Sequence, residues 1–326
     1  MQSFCTSFDR NYLVRGLALY RSLRRHCPDA ELWALCLDSV SFEVLRRLAL
    51  PGLRGVPLES LEDAIPGLRQ ARTDRSLVEF YFTCTPLLPL HLLKGHPEMD
   101  QVTYLDADLF FFANPAALLK SSAPILITGH RFSKDLRHLE RHGLYNVGWL
   151  TFRREARALE CLEHWGAQCL AWCRDMVEDG RYADQKYLDE WPARFPVEVL
   201  PQKGANLAPW NLGNYGLHET PTGVLVDDEP LIFFHFQGFR RLARGLYDPN
   251  LAVYGQHPNR LLRNAIFRPY IECLDQVARE WALTGRDTMT TSIRTGRGGI
   301  GKRLRGLTAL GKGLFSGRYL FYPEGP

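Results

Sequence analysis

The 326-residue sequence has no run of about 18 apolar residues, so no segment reads as a membrane-spanning helix. Its eight cysteines (Cys5, Cys27, Cys36, Cys84, Cys161, Cys169, Cys173 and Cys273) form no C-x-x-C pair, which excludes a zinc ribbon and a thioredoxin motif. Cys161, Cys169 and Cys173 keep helical spacing and read as small apolar residues on a buried stripe. No Gly-rich phosphate loop follows the first candidate strand, and there is no internal repeat or clear linker. The opening Met1–Thr6 lacks the basic and apolar regions of a secretory signal, so a cytosolic location is expected. Charge of one sign is also scarce. Forty basic and 36 acidic residues leave a net charge of +4, too little for a general nucleic-acid binder. The imbalance sits at one end, where residues 286–326 hold eight basic and two acidic residues and the other 285 sum to −2.

A 45% hydrophobic, 23% charged composition can bury a sizeable core. Strands are predicted at Phe4–Ser7, Leu32–Leu37, Gly52–Leu58 and Gln101–Leu105. Helices fall between them, the first capped by Asp9 with Tyr12, Leu13, Leu17, Tyr20 and Leu23 at helical spacing. A helix over 74–93 should be interrupted or kinked by Pro86 and Pro89. Further strands are expected at 125–127, 147–152, 195–200, 223–226 and 231–236, and helices over 155–179 and 265–283. This order predicts an open, mostly parallel α/β sheet over residues 1–285, with a tail over 286–326. Ligands of such sheets lie beyond the carboxyl ends of the strands.

Asp106-x-Asp108 stands at one such end, after Val-Thr-Tyr-Leu and before Leu-Phe-Phe-Phe. Two carboxylates there need compensation, and a hard divalent cation, Mg²⁺ or Mn²⁺, suits them. Such a metal commonly serves a diphosphate. The same D-x-D opens the haloacid-dehalogenase phosphatases, although Phe110 stands where their Thr or Val would. The downstream pair Asp227-Asp228 keeps that alternative. His235, inside an apolar strand, reads equally as a core residue or a metal ligand. Gly238 permits close backbone approach to a phosphate, and Arg240 and Arg241 either neutralise one or form a solvated turn. Tyr12 either stacks on a base or packs on the core. Asp184 reads as a helix cap, and Trp210 with Asn206 and Asn211 as sugar-pocket lining or core.

Five segments, in order, resemble the nucleotide-sugar glycosyltransferases of the GT-A fold, family 8 in particular. They are Phe4–Leu13, Tyr104-Leu105-Asp106-Ala107-Asp108, Tyr145-Asn146-Val147-Gly148, Ala183–Asp189 and His235-Phe236-Gln237-Gly238. The whole chain, including Gly204–Trp210, is also similar to bacterial glycosyltransferases found among surface-polysaccharide genes. The resemblance implies that Asp106, Asp108 and His235 hold the metal. It places Thr6, Asp9, Tyr12, Arg75, Asp106, Asn146, Gly148, Gly238 and Arg241 around the nucleotide sugar. Gln185 would lie beside the anomeric carbon, and Asp184 on sugar hydroxyls. It further implies a UDP-sugar donor, a glycan or lipid-linked acceptor and retention of configuration. Lys186 and Asp189 depart from the family's D-Q-D-x-L-N, and Arg241-Leu242-Ala243 from its closing K-P-W. A metal-dependent phosphohydrolase and a catalytically silent nucleotide-sugar-binding module are the alternatives.

The tail carries Ile300, Leu304, Leu307, Leu310 and Leu314 on one helical face, with Lys302, Arg305 and Lys312 opposite. That is the pattern of an interfacial helix on an anionic membrane, which would place the protein on the inner face of the cell membrane. Eight glycines between Gly296 and Gly317 weaken it, and a disordered basic tail is the other reading.

Overall fold

The apolar run at 30–36 becomes a strand from which the sheet extends both ways. The protein is described by a computed structural model covering residues 2–282 and 317–322. In chain order, β1 is Gln2–Phe8, α1 Leu13–His26, β2 Ala30–Cys36, α2 Ser39–Leu48 and β3 Leu53–Pro57. Then come α3 (Leu58–Ala64), α4 (Leu68–Asp74), α5 (Leu77–Gly95), β4 (Gln101–Leu105), β5 (Leu109–Phe111), β6 (Ile125–Gly129) and β7 (Tyr145–Arg153). After α6 (Ala156–Ala171), the short α7 (Trp191–Arg194) and β8 (Val197–Val199), the chain forms small antiparallel pieces. These are β9 (Leu217–Thr220), β10 (Gly223–Val226), β11 (Glu229–Pro230), β12 (Phe233–His235), β13 (Arg240–Ala243) and β14 (Leu246–Asp248). Helix α8 (Arg268–Ala282) and β15 (Leu320–Phe321) complete it.

The central sheet has seven strands in the order β3-β2-β1-β4-β7-β6-β8. Only β7 runs against the rest, being antiparallel to both neighbours while every other pair is parallel. One face is covered by α5 and α6, whose Phe80, Cys84, Leu88, Leu162 and Trp165 pack on Cys5, Val102, Tyr104 and Phe152. The other face meets α1, α8 and the β5–β12 ribbon. Trp165 is fully buried, with Trp191 at 5.1 Å between ring centroids. Its truncation to Ala would cost roughly 3–5 kcal/mol.

Three expectations need correction. Pro86 and Pro89 do not interrupt the helix and lie inside a continuous α5. Each removes one backbone donor, and burial of Leu87, Leu88, Leu92 and Leu93 against the sheet holds the helix through both gaps. Helix α6 stops at Ala171, not at 179, because Trp172 is extended and the Arg75 guanidinium takes the carbonyls of Cys169 and Leu170 at 2.7 and 2.6 Å. Met176, which the predicted helix over 155–179 would include, lies past its end and is 51% exposed. Finally, α1 begins at Leu13 with Tyr12 as N-cap, and Asp9 braces the preceding turn instead of capping the helix.

Among the described residues no helix is long and apolar enough to cross a membrane. The amphipathic stretch at 300–314 lies outside the described residues. Residues beyond it return to the body, where β15 pairs antiparallel with β14 and Leu320 is fully buried.

Candidate active site

Strand β4 ends at Leu105, and the backbone turns at once, with Leu109 N–H donating to Asp106 C=O. The chain re-enters as β5, which pairs with β12 in the register Phe111↔Phe233, Phe110↔Phe234, Leu109↔His235. Phe236 N–H donates to Asp108 C=O, locking that register one step further. A residue 127 positions downstream is thereby set beside the carboxylates. His235 Nε2 lies 3.1 Å from Asp108 Oδ1 and 3.6 Å from Asp106 Oδ2. One ligand atom from each of the three lies within 4.8 Å of the others.

The opposite wall comes from β7. Its register against β6 slips between Ile127 and Thr128, so that Ile127 faces Leu150 and Thr128 faces Asn146. The intervening residues bulge toward the acidic turn, and Gly148 C=O accepts from Asp106 N–H. A Cβ at Gly148 would stand 2.6 Å from Asn146 Oδ1 and 2.9 Å from His235 Nδ1, so only glycine fits. Asn146 is buried and central. Its Oδ1 accepts from Gly148 N–H and lies 3.3 Å from His235 Nδ1, while its Nδ2 reaches His130 Nε2 at 3.2 Å and Gln185 Oε1 at 3.3 Å. Gln185 Nε2 donates to His142 C=O.

Electrostatics separate the two carboxylates. Burial raises Asp106 most, His235 pulls it back and Asp108 adds to the rise, leaving it at about 6. Burial also opposes ionisation of Asp108, but His235 and the Arg15 guanidinium outweigh it and hold Asp108 below the usual carboxylate range. Burial works against charge on His235, and the two carboxylates overcome it, raising its pKa. His130 has no such partner, so burial takes it down to about 3 and the ring is neutral. Asp184 is 5% exposed and pushed up to about 7, first by burial, against a hydrogen bond from Thr85 and with Asp106 adding repulsion.

The structure thus brings Asp106, Asp108, Asn146, Gly148, Gln185 and His235 together. Tyr12 is 37% exposed and close enough to feel both carboxylates, with the Arg15 guanidinium 4.3 Å from its ring centroid. Arg15 escaped the sequence reading. Its one signal was a charged residue amid the buried Leu13, Val14, Gly16 and Leu17 of α1. Arg15 Nη2 also donates to Phe239 C=O, tying the Gly238 turn to this centre. Gly238 has φ +71, and a Cβ there would strike the Asn250 amide.

Other expected contacts resolve differently. The Asp9 carboxylate is occupied by Asn11 N–H, Asn11 Nδ2, Tyr12 N–H and the Tyr81 hydroxyl. Thr6 is fully buried, and its hydroxyl has no hydrogen-bond partner among the described residues. Arg75 donates to Thr83 and to the end of α6, a structural use. Arg240 pairs with Asp248 and Arg241 faces Asp275 at 3.9 Å, so neither is a bare cation turned to a phosphate. Asn206 and Asn211 are fully buried, and their amide nitrogens bind backbone carbonyls of Gly129, His130 and Asn206. They brace the wall instead of lining a sugar pocket. Trp210 is 3% exposed, set edge-on to His235 with centroids 5.1 Å apart.

No protein-family model matches the sequence. The α/β architecture with its mostly parallel central sheet is that of a GT-A fold. The galactosyltransferase LgtC, solved with donor and acceptor sugar analogs, superposes with a TM-score of 0.54 over 86% of this chain and 99% of that one, at 14% identity. The glycosyltransferase GlyE of Streptococcus pneumoniae TIGR4 gives 0.50 over 87% of this chain and 64% of that one, also at 14%. In sequence, the chain is 30% identical over 274 residues to the uncharacterized protein YfnD of Bacillus subtilis (strain 168), covering 82% of this chain and 87% of YfnD. It is 31% identical over 249 residues to YfnF of the same strain, covering 73% and 82%. The chain belongs to the family of YfnD and YfnF.

Proposed function

We propose that the protein is a metal-dependent glycosyltransferase, moving a sugar from a nucleotide-diphosphate sugar, a UDP-sugar foremost, to a cell-envelope glycan or lipid-linked saccharide with retention. The convergence of Asp106, Asp108 and His235 at the carboxyl end of β4 carries this reading. Two carboxylate oxygens and one imidazole nitrogen suit Mn²⁺ or Mg²⁺. Bound there, the cation supplies neutralisation of charge on the leaving diphosphate. Asp106 and Asp108 hold it, His235 completes the set, and Arg15 offers a fixed positive charge on the same side. Tyr12, partly exposed beside the carboxylates, is assigned to the base. Gln185, fixed by Asn146 and His142, is assigned to the anomeric carbon. An amide cannot take a proton near neutral pH, but its oxygen favours developing positive charge. In support, a structure of LgtC is described as an active-site mutant in which glutamine is replaced by glutamate. Asp184 is assigned to the sugar hydroxyls.

The test is a thermal-shift screen of nucleotide sugars with and without Mn²⁺. A bound donor raises the melting temperature by mass action, and only when the metal is present. No metal-dependent shift with any donor would refute the reading. With the donor known, Gln185→Ala should lower kcat far more than donor affinity, and NMR of the product should show retained anomeric configuration. An inverted product would move the leading role to Asp184 or Asp189 as base. The phosphohydrolase alternative loses its second acidic pair, since Asp227 and Asp228 both pair with Lys203 on the β9–β11 piece. We further propose peripheral attachment to anionic membrane through residues 294–318. Excising 286–316 should weaken liposome binding and leave donor binding intact.

A further inference from the structure

The chain holds one run of hydrogen bonds whose direction is fixed at both ends by backbone groups. Gly148 N–H can only donate, so the atom of Asn146 that faces it at 3.1 Å is the carbonyl oxygen. His142 C=O can only accept, so the atom of Gln185 facing it is the amide nitrogen. Everything between follows. Asn146 Nδ2 must point at Gln185 Oε1 and His130 Nε2, and His130 must present an unprotonated Nε2. Asn146 Oδ1 must accept from His235 Nδ1, which therefore carries a proton and leaves Nε2 as the nitrogen turned to Asp106 and Asp108.

His130 is held by its ring and its backbone. Its ring lies between Phe132, stacked at 4.6 Å, and Trp210, edge-on at 5.4 Å. Its backbone carbonyl accepts from Trp210 Nε1 and Asn211 Nδ2. The Asn206–Asn211 bracing described above therefore ends on the residue that holds the Asn146 amide nitrogen.

We propose that Asn146 and His130 are positioning residues: the Asn146 amide, directed by Gly148 N–H and held in place by His130 Nε2, selects the metal-binding tautomer of His235 while orienting Gln185. This rests on the metal-dependent reading under Proposed function and adds a link between the metal ligand and the amide assigned to the anomeric carbon. It makes Asn146 an orienting group through its own side-chain bonds, beyond any contact with a donor.

The test is Mn²⁺ titration of the full chain by calorimetry, with circular dichroism checking that each variant folds. His130→Phe removes the acceptor and should weaken Mn²⁺ binding on the order of tenfold. His130→Gln restores an acceptor and should recover most of the loss. In an Asn146→Ala background His130→Phe should weaken binding no further, because both act through one route. If His130→Phe does not fold, the pair Asn146→Ala and Asn146→Asp decides. Only the aspartate keeps an acceptor for His235, so only the alanine should lose affinity. Wild-type affinity in folded His130→Phe, additive losses in the double variant, or equal affinity of the two Asn146 variants would overturn the proposal alone. Absence of Mn²⁺ binding to the wild-type chain would overturn the metal-dependent reading with it.

Discussion

Two pairs of aspartates stand in this chain, and they share little beyond composition. Asp227 and Asp228 sit on an antiparallel hairpin, where Lys203 Nζ reaches them at 3.2 and 3.0 Å and Gly216 N–H binds Asp227. Backbone and lysine contacts hold both carboxyls below their ordinary range. Asp106 and Asp108 are partly buried, face one imidazole between them, and differ from each other in proton affinity. The first pair has its countercharge built in. The second converges with an imidazole on one point at the end of β4, and that convergence, rather than the presence of two carboxylates, marks a cation site.

The largest expected effect removes one of the converging ligands. Asp108→Asn should abolish saturable Mn²⁺ binding in a calorimetric titration, and retained binding would break the contrast outright. Gly148→Ala comes next. The new methyl must displace the Asn146 oxygen and the His235 ring, so Mn²⁺ affinity should fall on the order of tenfold, with roughly 1–3 kcal/mol of stability lost to overpacking.

Asp184 extends the contrast to a carboxyl with no cationic partner. With its pKa raised from 3.8 to about 7, the folded state holds a proton that the unfolded state releases. That contribution to stability is complete below about pH 4 and is lost as pH rises through 7, by at most about 4 kcal/mol. Asp184→Asn should therefore melt progressively higher than wild type between pH 5 and pH 8, measured in chelator. Parallel profiles would show that Asp184 ionises freely. The smallest effect is reserved for the other pair. Asp227→Asn and Asp228→Asn should leave the Mn²⁺ titration unchanged, and a loss of binding would revive the acidic hairpin as part of the site.

How far the sequence reveals this site depends on how local each cause is. A buried run that ends in Asp106-x-Asp108 is a local pattern, and β4 with its acidic turn appears where expected. So do β2 and α8, whose apolar runs and stripes are unambiguous. The place of His235 was legible only through family likeness, since the β5–β12 register joins segments more than 100 residues apart. Arg15 gives only a charge amid apolar neighbours and His130 gives no local signal, because their roles come from Phe239, Asn146 and Trp210, which are brought to them by the fold. The early end of α6 has the same origin in Arg75, 94 residues upstream of the carbonyl it binds. Burial alone decided Asn206 and Asn211, whose amides suit a sugar as well as a backbone.

The return of the chain to form β15 has a consequence for any shortened version of the protein. Arg263 Nη1 and Nη2 grip the carbonyls of Tyr319 and Gly317, and the Tyr322 hydroxyl reaches back to Arg263 C=O. Cutting everything after Ala282 would therefore unfasten a clasp, stripping the outer strand from β14 and emptying the socket of Leu320. A truncation of that kind would confound loss of a membrane contact with damage to the body. An internal excision that leaves Gly317–Tyr322 in place keeps the clasp shut and isolates the segment it encloses.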